Sequence, residues 1–142
     1  MYKKVLIFIP TRNTATTLEK TVRLLPDRVR EEAQFVVVDN ASTDNSVQVA
    51  QNLGIPVIRH EQDRGYGGSN KTGFDYAMTR DVDFFAILHS DCQYDPSLMD
   101  KILAPALSGE ADLVLGSRIL GGQALAGGMP WWKYVSNRFL TW

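Results

Sequence analysis

The sequence predicts an α/β protein with a mostly parallel sheet covered by helices on both faces. Three observations predict it. Short apolar runs alternate with segments of helical length along the whole chain. The main runs are continuous rather than alternating, the pattern of strands buried on both faces. Polar loops rich in Asp, Asn, Ser and Gly follow them.

The elements follow in order. Val5 to Ile9 is an apolar run closed by Pro10, read as the first strand. Thr14 or Thr16 can cap a helix through Leu25, stopped by Pro26. Phe35 to Val38 is the second strand, ended by Asp39. Ser42, Thr43 and Asp44 offer caps for a helix to about Asn52, with Gly54 as its stop. Val57 and Ile58 sit in a short third strand. Gly65 to Gly68 reads as a loop, with a helix after it to about Met78. Phe84 to Leu88 is the fourth strand. Pro96 opens a helix to about Leu107, since proline is tolerated in a first turn. Leu113 to Leu115 is read as a fifth strand. Gly116 to Gly128 is glycine-rich and expected to be mobile, and Trp131 to Trp142 begins another helix.

Composition narrows the function classes. The 142 residues carry a net charge of −1 and suit one domain, 1–142. No basic stripe suggests nucleic acid. The single cysteine, Cys92, permits no internal disulfide and fits a reducing compartment. No apolar run approaches the ~20 residues of a membrane span.

In a parallel sheet the loops after the strands meet at one edge, where open α/β sheets bind ligands. Here they carry Pro10-Thr11-Arg12-Asn13, Asp39 to Asp44, Arg64 to Gly73, His89 to Gln93, and Gly116-Ser117-Arg118. Carboxylates, amides, open backbone and arginine together suit a nucleotide diphosphate. Asp91 and Gln93 lie two apart, so extended backbone presents both on one side. A hard divalent metal on a pyrophosphate takes such oxygen ligands. Arg118 can form charge-assisted bonds to phosphate. The bland alternatives are a cap for Asp39, a turn former for Asp91, and a surface arginine for Arg118. Trp131 and Trp132 suit a lipid-facing surface, or packing against the sheet, the commoner use at helical spacing.

Pro-x-x-Asn, Val-Val-Asp-Asn-Ala-Ser-Thr-Asp, Gly-Tyr-Gly-Gly-Ser-Asn-Lys-x-Gly and Ser-Asp-Cys-Gln resemble family 2 glycosyltransferases of the GT-A fold. Gly-Ser-Arg, then Gly-Gly and Lys133-Tyr134-Val135-Ser136, resembles the branch that makes polyprenyl-phosphate (dolichyl-phosphate) mannose or glucose. The resemblance implies transfer of a hexose, with inversion, from a GDP- or UDP-sugar to a lipid-phosphate acceptor, at the cytoplasmic face of a membrane. It implies that Pro10, Thr11 and Asn13 line the nucleoside pocket and that Asp39 contacts the base. Gly65, Gly67 and Asn70 would close over the nucleotide, beside Ser90. Asp91, with Gln93 and a possible contribution from His89, would hold Mg²⁺ or Mn²⁺. Arg118 would act with Asp91 in catalysis. Arg118 and Lys133 would meet the acceptor phosphate.

Two departures stand out. His89 occupies a position where the family usually has an acid. Asn40 replaces a frequent second Asp, a change of little expected consequence. The remaining strands, the acceptor region and the usual catalytic carboxylate would lie beyond Trp142, making this the nucleotide-sugar-binding part of a C-terminally truncated GT-A domain. The alternatives are a family 2 transferase for a surface polysaccharide or glycolipid, and a non-catalytic nucleotide-sugar binding fragment. An open sheet edge offers a route to a homo-oligomer.

Overall fold

The computed structural model describes residues 4–117, 122 and 124–140. Four parallel strands form one sheet: β1 (Val5–Thr11), β2 (Gln34–Asp39), β3 (Val57–Arg59) and β4 (Phe84–Ile87). Their order is β3-β2-β1-β4. The chain therefore moves outward on one side from β1 through β3, then places β4 on the other side of β1. This reversal opens a crevice beyond the carboxyl ends of β1 and β4, the usual ligand position in such sheets.

Among the described residues, six helices accompany the strands. They are α1 (Ala15–Arg23), α2 (Asp27–Glu32), α3 (Ser46–Asn52), α4 (Gly65–Met78), α5 (Met99–Leu107) and α6 (Trp131–Leu140). One 3₁₀ turn, Pro96–Leu98, leads into α5, with Asp95 accepting from the Ser97 N–H at 3.0 Å.

The alternation of side chains along β1 divides the core in two. Val5, Ile7 and Ile9 pack with Val37 of β2, Leu18 and Val22 of α1, Ala50 of α3 and Leu103 of α5. Leu6 and Phe8 pack on the opposite face with Val36 and Val38, against Tyr76 and Ala77 of α4. Val5 to Ile9 are all essentially inaccessible to solvent. Each such side chain contributes about 1.5–3 kcal/mol of burial, so β1 anchors both layers.

Three sequence expectations need correction. Gly65 to Gly68 is the first turn of α4, not a loop. Glycine is a poor helix former, but tertiary contacts override propensity here. Asp63 accepts from the Gly65 N–H at 2.8 Å and Asn40 from the Arg64 N–H at 2.9 Å, fixing the helix entry. Leu113 to Leu115 is no strand. Leu113 and Leu115 are 75% and 79% exposed, and among the described residues no strand pairs with them. Three apolar residues cannot define a strand without a partner to complete the ladder. Trp131 and Trp132 do not pack on the sheet but stand exposed on α6. Helix α2 was not anticipated; Pro26 precedes it, and Val29 is its buried residue.

Gly73 explains part of the glycine pattern. A Cβ there would meet the Phe8 ring at 2.9 Å, whereas one at Gly67 would meet nothing within 4 Å. Gly73→Ala is expected to lower the unfolding free energy by about 1–3 kcal/mol through overpacking. Gly67→Ala is expected to raise it by up to about 1 kcal/mol, because its site is open and helical. Urea unfolding of both variants checks these opposite signs; equal effects would refute the close approach to Phe8.

Candidate functional site

Asp39 ends β2 opposite Thr11 of β1, and its side chain is 0% exposed. Oδ2 accepts from the Ser42 N–H at 3.2 Å and lies 3.4 Å from Arg59 Nε. Oδ1 is buried with no hydrogen-bond partner. A buried acceptor left bare is costly, and such atoms are rare in folded proteins. The turn-forming bond to Ser42 and the bare oxygen coexist on one carboxylate.

Asn40 makes the neighbouring tie. Its Oδ1 accepts from the Arg64 N–H and faces His60 Nδ1 at 3.0 Å. Its Nδ2 donates to Asp63 Oδ1 at 2.5 Å. Asp63 also accepts from Gly65 and pairs with Arg12 through its other oxygen. The Gly65 N–H, then the Asn40 amide, with Arg12 adding its charge, hold the Asp63 carboxyl below the ordinary range. An aspartate at position 40 would set carboxylate against carboxylate, so the Asn40 departure has a definite structural use.

The geometry also fixes the His60 tautomer. Asn40 Oδ1 is an acceptor, so Nδ1 carries the proton. Nε2 then accepts from the Thr72 hydroxyl at 2.9 Å. Burial lowers the His60 pKa, Arg64 lowers it further, and Asp39 opposes both. With the ring neutral, the single Thr72 hydroxyl hydrogen goes to Nε2 in place of the Gly68 carbonyl, which lies 3.2 Å from the same oxygen.

The first and fourth loops are stitched together. Ser90 Oγ donates to the Pro10 carbonyl at 3.0 Å and accepts from Thr14 Oγ1 at 3.1 Å. Thr17 Oγ1 donates to the Ser90 carbonyl at 2.6 Å. Asn13 Oδ1 accepts from the Thr43 N–H at 2.8 Å, and Ser42 Oγ accepts from the Asn13 N–H at 2.9 Å. Asp44 accepts from the Ala15 and Ser46 N–H groups and from the Ser46 hydroxyl. Burial alone would push its pKa up, but these bonds together hold it below the ordinary value.

Among the described residues, the non-glycine residues with left-handed backbone are Asn13 (φ 52°), Ala41 (φ 56°) and Cys92 (φ 55°). They lie in the loops after β1, β2 and β4. Such conformations cost roughly 1–2 kcal/mol outside glycine and concentrate at functional sites. Asp91 beside Cys92 is exposed, and its Oδ1 accepts from the Gln93 N–H at 3.0 Å. His89 stacks on Tyr66 of α4 and meets Tyr94 at a tilt, with ring centroids 5.5 and 5.2 Å apart.

Residues 6–138 match the family model described as Glycosyl transferase family 2. The chain belongs to this family. Undecaprenyl-phosphate mannosyltransferase of Micrococcus luteus is 30% identical over 144 residues, which cover 98% of this chain and 56% of that protein. The UDP-N-acetylglucosamine–dolichyl-phosphate N-acetylglucosaminyltransferase of Methanococcus voltae is 25% identical, covering 98% and 61%. Agl6, a low-salt glycan biosynthesis hexosyltransferase of Haloferax volcanii, is 36% identical over 107 residues, covering 75% and 25%. This chain thus spans less than two thirds of the curated relatives it matches. Glucosyl-3-phosphoglycerate synthase from Mycobacterium tuberculosis shares the fold, with a TM-score of 0.62 at 24% identity, over 75% of this chain and 42% of that one.

In this family 2 glycosyltransferase chain, the predicted site residues fall into three groups. Thr11 and Asp39 end β1 and β2, Asn13 lies in the loop after β1, and Ser90 and Asp91 lie in the loop after β4, with Pro10 just inside the end of β1. Thr11 and Ser90 are buried and serve the framework through their hydrogen bonds. Gly65, Gly67 and Asn70 lie on the first turns of α4, where Asn70 Oδ1 is also buried and bare. Lys133 stands on α6, with its ammonium 5.4 Å from the Trp132 ring centre. Arg118 lies outside the described residues.

Asp91, Gln93 and His89 bring a carboxylate, an amide and an imidazole to one loop. No group of three or more His, Cys, Asp or Glu forms a cage among the described residues. The set fits a hard cation that takes the rest of its shell from a diphosphate and water. Sequence reasoning missed the Asn40–His60–Asp63–Arg12 network and the Tyr66–His89–Tyr94 stack. His60 was visible only as a strand-end residue, and nothing in the spacing joined it to position 40.

The His60 shift has a pH signature. The unfolded imidazole titrates near 6.5, and the folded one below that. On acidification the unfolded chain takes the proton first. The stabilisation is therefore complete above about pH 6.5 and is lost as pH falls through the folded pKa. The urea midpoint is expected to fall between about pH 7.5 and 5.5, with a shallower slope in His60→Gln. An identical slope in the variant would show that His60 does not titrate in this window.

Proposed function

We propose that this chain forms the nucleotide-sugar-binding part of an inverting, metal-assisted glycosyltransferase that delivers a hexose to a polyprenyl-phosphate acceptor. One observation carries the reading: a buried Asp39 carboxylate with a bare oxygen ends β2 and an exposed Asp91 carboxylate follows β4, the two strands that flank β1. A base N–H would satisfy Asp39, and the diphosphate would then reach towards Asp91. The relatives named for transfer to undecaprenyl phosphate and dolichyl phosphate support this acceptor class.

A divalent cation bound at Asp91, with Gln93 and His89 beside it, would supply Lewis-acid stabilisation of the departing diphosphate. The protein's own part is positioning. Asp39 and Asn13 hold the nucleoside end. Asp91 stands exposed beside the left-handed Cys92, its Oδ1 accepting from the Gln93 N–H. Arg118 would place fixed positive charge on the phosphates, which is electrostatic preorganisation. A phosphate monoester has a second pKa of about 6 and is already largely ionised, so such an acceptor needs no general base. Lys133 and Arg118 would draw it in. No helix among the described residues is long and apolar enough to cross a membrane. We place the protein at the cytoplasmic membrane face through its acceptor. The second reading, transfer onto a surface glycan, is favoured by the similarity to Agl6.

Calorimetry with nucleoside diphosphates, with Mn²⁺ and with chelator, tests the reading. Asp91→Ala is expected to remove most of the Mn²⁺-dependent affinity, roughly tenfold or more. Arg118→Ala is expected to weaken a diphosphate more than the bare nucleoside. Affinity independent of Mn²⁺ and unchanged by Asp91→Ala would refute the metal role.

A further inference from the structure

We infer that His89 is a positioning residue rather than a ligand of the cation: its ring closes an aromatic clasp that sets the loop bearing Asp91 and Gln93 and joins it to the first turn of α4. This rests on the proposed function above and narrows it, leaving Asp91 and Gln93 as the side chains that hold the cation. The carrying observation is the pair of ring contacts. His89 lies on Tyr66 with centroids 5.5 Å apart and planes 20° from parallel. It meets Tyr94 at 5.2 Å and 33°.

The first contact joins two parts of the crevice. Tyr66 belongs to the first turn of α4, whose entry Asn40 and Asp63 cap from the other direction. The His89 ring ties the same turn to the loop after β4. The second contact closes that loop on itself. Asp91 and Gln93 stand exposed between His89 and Tyr94. Both ends are fixed in the fold. Leu88 and Ser90, on either side of His89, are buried, and the Leu88 N–H donates to the Phe8 carbonyl at 2.9 Å. Asp95, next to Tyr94, caps the 3₁₀ turn through the Ser97 N–H. A ring pair bridging those ends limits how far Asp91 and Gln93 can swing. The bond from the Gln93 N–H to Asp91 Oδ1 is local to the loop and does not by itself place it.

The chemistry of the ring fits this use better than ligation. Aromatic faces carry negative charge density, and rings pair in offset or tilted arrangements. A neutral imidazole joins such a stack. A carboxylate at position 89 would set its charge against the faces of Tyr66 and Tyr94. That accounts for a histidine where the family resemblance leads one to expect an acid. Its Nε2 already faces the Tyr66 hydroxyl, at 3.4 Å. A hard cation on a diphosphate prefers oxygen ligands, which Asp91, Gln93, the phosphates and water supply.

The experiment measures Kd for UDP and for GDP with the full-length protein, with Mn²⁺ and with chelator, in the native chain, His89→Phe and His89→Ala. Phenylalanine keeps a ring and removes both nitrogens. His89→Phe is expected to hold the Mn²⁺-dependent affinity within about twofold of the native value, and His89→Ala to lose roughly three- to tenfold. Pulsed paramagnetic resonance of the Mn²⁺–nucleotide complex reads the ligands directly, and the native complex is expected to show no imidazole nitrogen coupling. A nitrogen coupling that His89→Phe abolishes, a loss in His89→Phe approaching that in His89→Ala, or native affinity in His89→Ala would each overturn the clasp and leave the proposed function standing. Folded native protein whose nucleotide affinity Mn²⁺ does not raise would sink the proposed function and the clasp with it. Should His89→Ala fail to fold, His89→Phe and the nitrogen coupling still decide.

Discussion

The side chain of Asn40 is the tie on which the crevice depends. One amide holds the backbone at Arg64, the ring of His60 and the carboxylate of Asp63. Those three groups come from the end of β3 and the entry to α4. Through Asp63 the tie reaches Arg12 in the loop after β1. An amide is needed because it both accepts and donates; neither a carboxylate nor an apolar residue does both. The network is largely satisfied, which is the condition under which buried polar groups rigidify a site rather than weaken it.

Against this satisfied network, the bare oxygens of Asp39 and Asn70 stand out. The fold satisfies nearly every buried polar atom near the crevice and leaves these two acceptors. It also stores left-handed backbone in the three loops around them. Rigid framework, local strain and unspent acceptors occur together, the combination expected where a ligand completes the structure. The opposite lip is different in character. Asp91 is exposed and held only by its turn, which suits a group that must meet a hydrated cation.

Much of the fold was legible in the sequence. The continuous apolar run at Val5 to Ile9 reports a strand buried on both faces, and the structure places it second from the edge of the sheet. The Asp39 loop and the Asp91 loop were legible as strand-end carboxylates. Other parts were written in long-range contacts. The glycines at the start of α4 look like a loop because their propensity is poor; the caps from Asp63 and Asn40 and the approach of Gly73 to Phe8 decide otherwise. Leu113 to Leu115 looks like a strand because its apolarity is local, while the absence of a pairing neighbour is not. The stack of Tyr66, His89 and Tyr94 joins residues far apart in the chain, so no spacing rule reveals it.

The most direct test is a crystal structure of the full-length protein with a nucleoside diphosphate and Mn²⁺. The base is expected against Asp39 Oδ1, within hydrogen-bond distance, and the diphosphate and metal at Asp91, across the ends of β1 and β4. A nucleotide bound elsewhere, or lying in the crevice with Asp39 Oδ1 still unpartnered, would contradict it.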